Sequence, residues 1–302
     1  MPNPNNCRAK RDNRVWSLYN ESLVKRMENL LYRTQIENIK EYLTKQNRNK
    51  VGRPFILPDS IVGIFARIRS VFNALFRILE SLLRKMSNLL GIPKITYSAI
   101  YLRIRKIKVP EICSPSAPVA IDLTGFSTGF ITTIMVDSLY RWGKKRKGWI
   151  KLHASVSTDQ VQAQKITITS AHKHGAQLLP LLVTGKEDQV FEDKAYDSRK
   201  IFNLLDSNGI YAIIPLRKKF KTAAMGSPLR HRTARQIRKV GEEDLKRIHD
   251  YGRRWIVEIY FSGLKRVMGD VIKARKLECV IQEIGMKVLY YNCLRSDTKI
   301  YG

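Results

Sequence analysis

The stretch VPEICSPSAPVAIDLTGF, residues 109–126, separates two kinds of apolar periodicity. Its first half is a joint rich in proline and serine, with Pro110, Pro115 and Pro118 barring a regular helix. Its second half, VAIDLTGF (119–126), is a short apolar block of the kind that forms a buried strand. Strand-like segments follow. WIKLHASVS (149–157) alternates, with Ile150, Leu152, Ala154 and Val156 on one face, and QAQKITITS (162–170) is rich in Ile and Thr. DQVFED (188–193) and IYAIIPL (210–216) complete the set, with helices expected over 174–184, 197–207, 233–249, 253–268 and 279–295. Three early strands, then helix and strand in alternation, then a closing helix predict a mixed α/β fold around one sheet.

Upstream of the joint the pattern is helical. A helix is expected over about 17–46, with Leu18, Leu23, Met27, Leu30 and Leu31 at uneven spacing. VGRPFILPDS (51–60) reads as a linker whose Asp59–Ser60 pair caps the next helix. Over 60–90, Phe72, Leu75, Phe76, Leu79, Leu82 and Leu83 recur at one-face spacing, on one helix or a pair. GIPK (91–94) interrupts, and TYSAIYLRIRK (96–106) restarts a basic helix capped by Thr96 or Ser98. Residues 75–107 thus have the outline of a helix-turn-helix, which would set Arg103 and Arg105 in a DNA groove. A plain helical hairpin with solvated arginines has the same outline. The division expected is a basic helical region at 1–110, binding DNA, and an α/β domain at 117–302.

The chain of 302 residues carries 55 Lys and Arg against 26 Asp and Glu, a net charge of +29 with a pI near 10.1. Such an excess repels itself and points to a polyanionic partner, nucleic acid first. A membrane partner fits poorly, because the most apolar segment, 61–86, is broken by Arg67, Arg69, Arg77 and Glu80. Nothing at the N-terminus resembles a secretory signal, and four scattered cysteines without a C-x-x-C pair fit a reducing cytoplasm. Gly185-Lys186 lacks the rest of a phosphate-binding loop, so no nucleotide cofactor is expected.

In so basic a chain, acids at strand ends stand out. Asp122 lies in the first strand of the α/β part, where bonding the next turn is the simplest role for it. In VFEDKAYDS, Asp197 reads as a helix cap before Ser198, and Glu192 should alternate to the face opposite Asp193. Asp193, ending an apolar strand with no capping duty, is the better functional candidate. Further on, YGRRWIVEIYFSGLK (251–265) sets Tyr251, Arg254, Glu258 and Lys265 within a stripe about 60° wide on a helix. Ile256, Tyr260, Leu264 and Val267 fall on the far side as its anchor. An i,i+4 salt bridge would explain Arg254 and Glu258 but not the other two. Lys144, Lys145, Arg146 and Lys147 form a cluster in an expected hairpin, able to meet phosphates or simply water. His172 and His174 read as loop residues; His153, on the polar face with Lys151, has two readings, an approach to the site and, more simply, a sheet-edge hydrogen bond.

The spacing Tyr251, two residues, Arg254, three residues, Glu258, six residues, Lys265 resembles the Y-R-E-K signature of insertion-sequence transposases of the DDE class. AIDLTGF and EDKAYDS resemble that family's first and second aspartate blocks, although Leu123 stands where the family often has a small or polar residue. The resemblance implies a ribonuclease H-like mixed sheet flanked by helices, preceded by an all-helical region. It implies that Asp122, Asp193 and Glu258 are catalytic and hold Mg²⁺ or Mn²⁺, two ions per site. Tyr251, Arg254 and Lys265 would lie along the DNA. The implied activity is cleavage at the element's terminal inverted repeats followed by 3′-hydroxyl strand transfer into target double-stranded DNA, by a homodimer at the nucleoid in the cytoplasm. The rival readings are an inactive relative kept for DNA binding, and a nuclease that cuts without joining.

Overall fold

A computed structural model describes residues 15–25, 39–91, 93–107, 109, 118–128, 148–170, 175–217, 220 and 226–298. The basic cluster Lys144, Lys145, Arg146 and Lys147 lies outside these residues, as do His172, His174, Met27, Leu30 and Leu31. Helices α1 (Trp16–Lys25), α2 (Ile39–Asn47), α3 (Asp59–Phe72), α4 (Phe76–Leu90) and α5 (Tyr97–Ile104) come first. The expected stretch 60–90 is a pair of helices, parted where Asn73 turns left-handed at φ 51°. That break redirects the apolar face. Leu79 and Leu83 are buried, whereas Phe72 and Leu75 are more than half exposed.

The expected caps also changed partners. Pro58 occupies the N-cap of α3, and the Asp59 carboxylate instead accepts a 2.6 Å bond from Arg103. Thr96 sits at the N-cap of α5 with its hydroxyl on Ser98 at 3.1 Å and no side-chain capping bond, and Glu80 of α4 accepts from the Tyr97 N–H at 2.8 Å. A distant carboxylate thus satisfies a helix end that the local sequence leaves open.

A mixed sheet follows, of β1 (Val119–Thr128), β2 (Gly148–Ser157), β3 (Ala163–Ser170), β4 (Gln189–Phe191), β5 (Tyr211–Ile213) and β6 (Val271–Ile272). The order is β3-β2-β1-β4-β5, with β6 also against β1. The first three strands are antiparallel; β4, β5 and β6 run parallel to their neighbours. Helices preceding a mixed sheet that carries helices on both faces is the architecture expected of a ribonuclease H-like fold. Only β6 was not anticipated, being two residues long after a helix.

On one face, Ala120, Phe126, Ile150, Leu152, Ala154 and Val156 pack against α10 (Trp255–Met268) and α11 (Leu277–Thr298). On the other, Val119, Ile121 and Val190 meet α6 (Leu179–Leu182), α7 (Arg199–Ser207) and α8 (Pro228–Val240). Short α9 (Glu242–Ile248) leads back toward α10. A third core joins α3, α4 and α5 to Met286 of α11, so the N-terminal helices rest on the last helix of the sheet domain. Two buried residues of α11 fix the segment around β6: Glu283 accepts from the N–H groups of Lys273 and Ala274, and Lys287 donates to the Val271 carbonyl at 3.2 Å.

Where α10 crosses α11, Gly263 lies against the hydroxyl of Tyr291, which packs edge-on to Tyr260 at 5.1 Å. A methyl there would collide with that hydroxyl. Alanine in a helix gains about 1 kcal/mol over glycine, and overpacking costs about 1–3 kcal/mol. With Tyr291 almost buried and its ring pinned, the cost wins. Gly263→Ala should therefore lower the melting temperature, by about 2–4 °C per net kcal/mol lost; an unchanged or raised value in a thermal melt would refute this packing.

Candidate active site

β4 pairs with β1 only at Val119↔Val190 and Ala120↔Phe191, and β6 pairs only at Ser127 and Thr128. Between them, residues 121–126 have no strand partner on that edge of β1 among the described residues. Continuing the β1–β4 register by two residues sets Asp122 beside Asp193, on the same face because side chains alternate. Asp122 is paired across β1–β2 with Ala154, which belongs to the core under α10, so this face is the one α10 covers. Glu258, one turn into α10, is linked to Asp122 through Arg254.

The tie between them is Arg254. Its guanidinium reaches the Asp122 carboxylate at 3.4 Å and the Glu258 carboxylate at 2.5 Å, and the arginine side chain is only 16% exposed. Burial pushes the Asp122 carboxyl above its usual range; the Leu123 N–H bond and Arg254 pull it back, while Glu258 and Asp193 push it further up. Asp122 therefore feels both other acids. Each aspartate also accepts from the N–H of the next residue, Leu123 at 2.7 Å and Lys194 at 2.6 Å.

Asp193 does have a capping duty, contrary to the sequence expectation: it opens the 3-10 turn Lys194–Tyr196. The cap of α7 is Ser198, not Asp197. Asp197 is instead a buried anchor, taking Arg230 of α8 through two bonds of 2.6 and 3.0 Å and the Arg217 N–H at 2.9 Å. Arg217 also donates to the carbonyls of Lys194 and Ala195, and lines an open recess of about 350 Å³ with Asp193, Lys194 and Ala195. No spacing in the sequence marks Arg217 or Arg230, because their partners are backbone atoms and a distant acid.

Tyr251 and Arg254 lie on a 3-10 turn (Tyr251–Arg254) rather than on α10 itself, so one helical wheel does not span all four residues of the stripe. Burial pushes the Tyr251 phenol up to about 12, and its hydroxyl donates to the Glu192 carbonyl at 3.0 Å, bracing the residue before Asp193. Lys265 lies over the Phe126 ring at 5.7 Å. The core face of α10 is Val257, Tyr260, Phe261, Leu264 and Met268; Val267, expected there, is 42% exposed. Acid and anchor faces are adjacent rather than opposite, since Arg254 itself is largely buried. Glu192 does alternate away: its carboxyl is fully buried, with both oxygens unpartnered. Arg103 pairs with Asp59 and lies 4.1 Å from the Phe55 ring, and Arg105 grips Glu278 of α11 through two 2.8 Å bonds.

As they stand, no three His, Cys, Asp or Glu side chains among the described residues are grouped closely enough to hold a metal ion. The donor chemistry nonetheless suits a hard divalent cation: carboxylate oxygens only, mutual repulsion felt at Asp122, and a cationic side chain already drawn between two of the acids.

His153, opposite Leu123 on β2, is fully buried and bonds Thr169 on β3 at 2.9 Å; β2 is an interior strand, so this bond is not at a sheet edge. Burial, with Lys151 nearby, lowers its pKa to about 4. The folded state keeps this ring neutral where the unfolded chain, near 6.5, takes up a proton. Its stabilising effect is whole above pH about 6.5 and is lost as pH falls toward 4, at most about 3 kcal/mol. Thermal melts at pH 7.5 and 4.5 should show a smaller acid-induced drop for His153→Gln than for the wild type; equal drops would contradict the assignment.

No helix among the described residues is long and apolar enough to cross a membrane. No curated protein matches the chain. The transposase DDE domain family matches residues 115–293, more than half of the 302 residues, taking in both aspartates, Glu258, the whole sheet and most of α11. DNA is the substrate such a family implies, and its members generally depend on divalent metal. The chain belongs to the transposase DDE domain family.

Proposed function

We propose that this transposase cuts phosphodiester bonds at the terminal inverted repeats of an insertion element and joins the freed 3′-hydroxyl to target DNA. The observation that supports the reading is that strand register puts Asp122 and Asp193 on one face while Arg254 bridges Asp122 to Glu258 of α10. Those three carboxylates would hold Mg²⁺ or Mn²⁺, two ions in the family's usual manner. When bound, such ions activate the attacking oxygen and stabilise the leaving one. In the first displacement, water attacks phosphorus and the P–O3′ bond breaks, leaving a 3′-hydroxyl. In the second, that hydroxyl attacks a target phosphate and loses its proton, the target's own P–O3′ bond breaks, and the departing 3′-oxygen takes up a proton from solvent.

The chain's own residues prepare this chemistry. The Leu123 and Lys194 N–H groups fix one oxygen of each aspartate, and Arg254 meets the other oxygen of Asp122. Arg254, drawn between two acids, would turn to the phosphate strand once a metal neutralised them. Lys265, on the same edge of α10 as Glu258, would sit farther along that strand, as the Y-R-E-K spacing suggests. Lys144, Lys145, Arg146 and Lys147 would grip the DNA backbone, as would the basic helical region at 1–110, with residues 117–302 as the catalytic unit. A homodimer pairing two element ends, working in the cytoplasm, completes the reading.

The test is a labelled duplex carrying the terminal repeat, incubated with purified protein and Mn²⁺. Wild type should nick it and yield joined product. Glu258→Ala should cut at less than about one hundredth of the wild-type rate, while its affinity for the ends stays within about threefold. Nicking without joining would mean a nuclease, binding without nicking a DNA-binding relative, and equal loss of cutting and binding in Glu258→Ala would remove Glu258 from the chemistry.

A further inference from the structure

Helix α8, PLRHRTARQIRKV (228–240), contains no acid. At 100° per residue, Arg232, Arg235 and Lys239 share a stripe about 60° wide over roughly 10 Å of axis. All three are exposed, and none pairs with an acid among the described residues. The opposite side of the helix carries Ala234, buried, and Leu229 and Ile237, packed on the core with α7. This is an amphipathic helix whose exposed charges, Arg232, Arg235, Arg238 and Lys239, are all positive.

An ordinary solvated helix would mix signs on that face, and the chain offers the means nearby. Glu242, Glu243 and Asp244 follow directly on α9, but they are taken by α9's own cations: Lys246 lies 2.9 and 2.8 Å from the two glutamates, and Arg247 is 3.5 Å from Asp244. The stripe on α8 is thus left uncompensated, at a cost in self-repulsion.

The helix is also rigidly tied to the candidate active site. Arg230, on its inner side, holds Asp197 through two bonds, and the same carboxylate holds the Arg217 N–H. Arg217 in turn binds the carbonyls of Lys194 and Ala195, next to Asp193. Just before α8, the Gly226 carbonyl accepts from Asn203 of α7 at 2.8 Å. Whatever the outer stripe grips is therefore held at a fixed offset from Asp193.

We propose that the outer face of α8 is a binding surface for the phosphate backbone of duplex DNA, engaging it through Arg232, Arg235 and Lys239 without reading sequence. This deepens the reading above and rests on it for the identity of the polyanion. Arg230 belongs to the mounting and not to the surface. Over its roughly 10 Å the stripe spans about three phosphates of one strand, which carries one charge per about 3.4 Å of duplex axis.

Fluorescence anisotropy with the full chain, a labelled duplex carrying the terminal repeat and a second of scrambled sequence tests this. Replacing Arg232, Arg235 and Lys239 together by alanine should flatten the slope of log K against log salt by about 2–3 units. Affinity should fall by roughly 10- to 100-fold at 0.1 M salt, equally on both duplexes. Arg232→Lys with Arg235→Lys should keep the wild-type slope. Should the triple variant fail to fold, Arg235→Gln alone should flatten the slope by about 0.9. A wild-type slope in the charge-removed variants, or a loss confined to the terminal-repeat duplex, would overturn the inference. If the wild type also nicks the terminal repeat, such a result leaves the transposase reading standing; a wild type that binds no duplex sinks both.

Discussion

β1 is held along one edge by β4 at Val119 and Ala120 and by β6 at Ser127 and Thr128, with no strand beside residues 121–126 among the described residues. A continuous sheet there would shut each side chain between strands and helices, and a carboxylate so enclosed would have to give up its charge. The parting of β1 from β4 lets Asp122 and Asp193 emerge side by side instead, each with one oxygen tied to the backbone. The core beneath α10 then decides where Glu258 stands, since Val257, Tyr260, Phe261 and Leu264 leave the helix no freedom to rotate. Tight packing on one side of α10 and the exposure of Glu258 on the other are two results of one arrangement.

Electrostatics explain why this cleft is lined by positive side chains. Asp122 is repelled by both Glu258 and Asp193, and the rise at Asp122 expresses that repulsion together with burial, which is the larger cause. Arg254 offsets it while no metal is bound, and the bond from Tyr251 to the Glu192 carbonyl keeps the second aspartate's strand in register with the turn that carries Arg254. The surrounding excess of charge, +29 over the chain, suits a substrate that brings its own negative charge to a site already rich in acid. On the far side of the sheet, the Asp197–Arg230 pair converts a loop next to the cleft into a mount for α8.

Much of this was legible in the residues alone. Alternation in WIKLHASVS and the apolar run in VAIDLTGF gave interior strands, because burial leaves a period-two record in sequence. Glu192 and Asp193 were correctly assigned to opposite faces for the same reason. What escaped were contacts between partners far apart in the chain. Asp59, Thr96 and Asp197 all have the chemistry of caps, yet Arg103, Glu80 and Arg230 replaced or redirected those roles from 44, 16 and 33 positions away. The helical wheel over 251–265 failed in its first turn, where the chain tightens to 3-10 and sends Tyr251 and Arg254 inward. β6 left no trace, since two residues are too few to show a period.

Manganese binding by the metal-free full-length protein, followed by calorimetry or by loss of the free-ion electron paramagnetic resonance signal, tests most directly whether the three acids form one site. The wild type should bind, and Asp122→Asn, Asp193→Asn and Glu258→Gln should each weaken binding by about tenfold or more, some 1.4 kcal/mol. Manganese bound equally well by the wild type and all three variants would contradict a site shared by β1, β4 and α10.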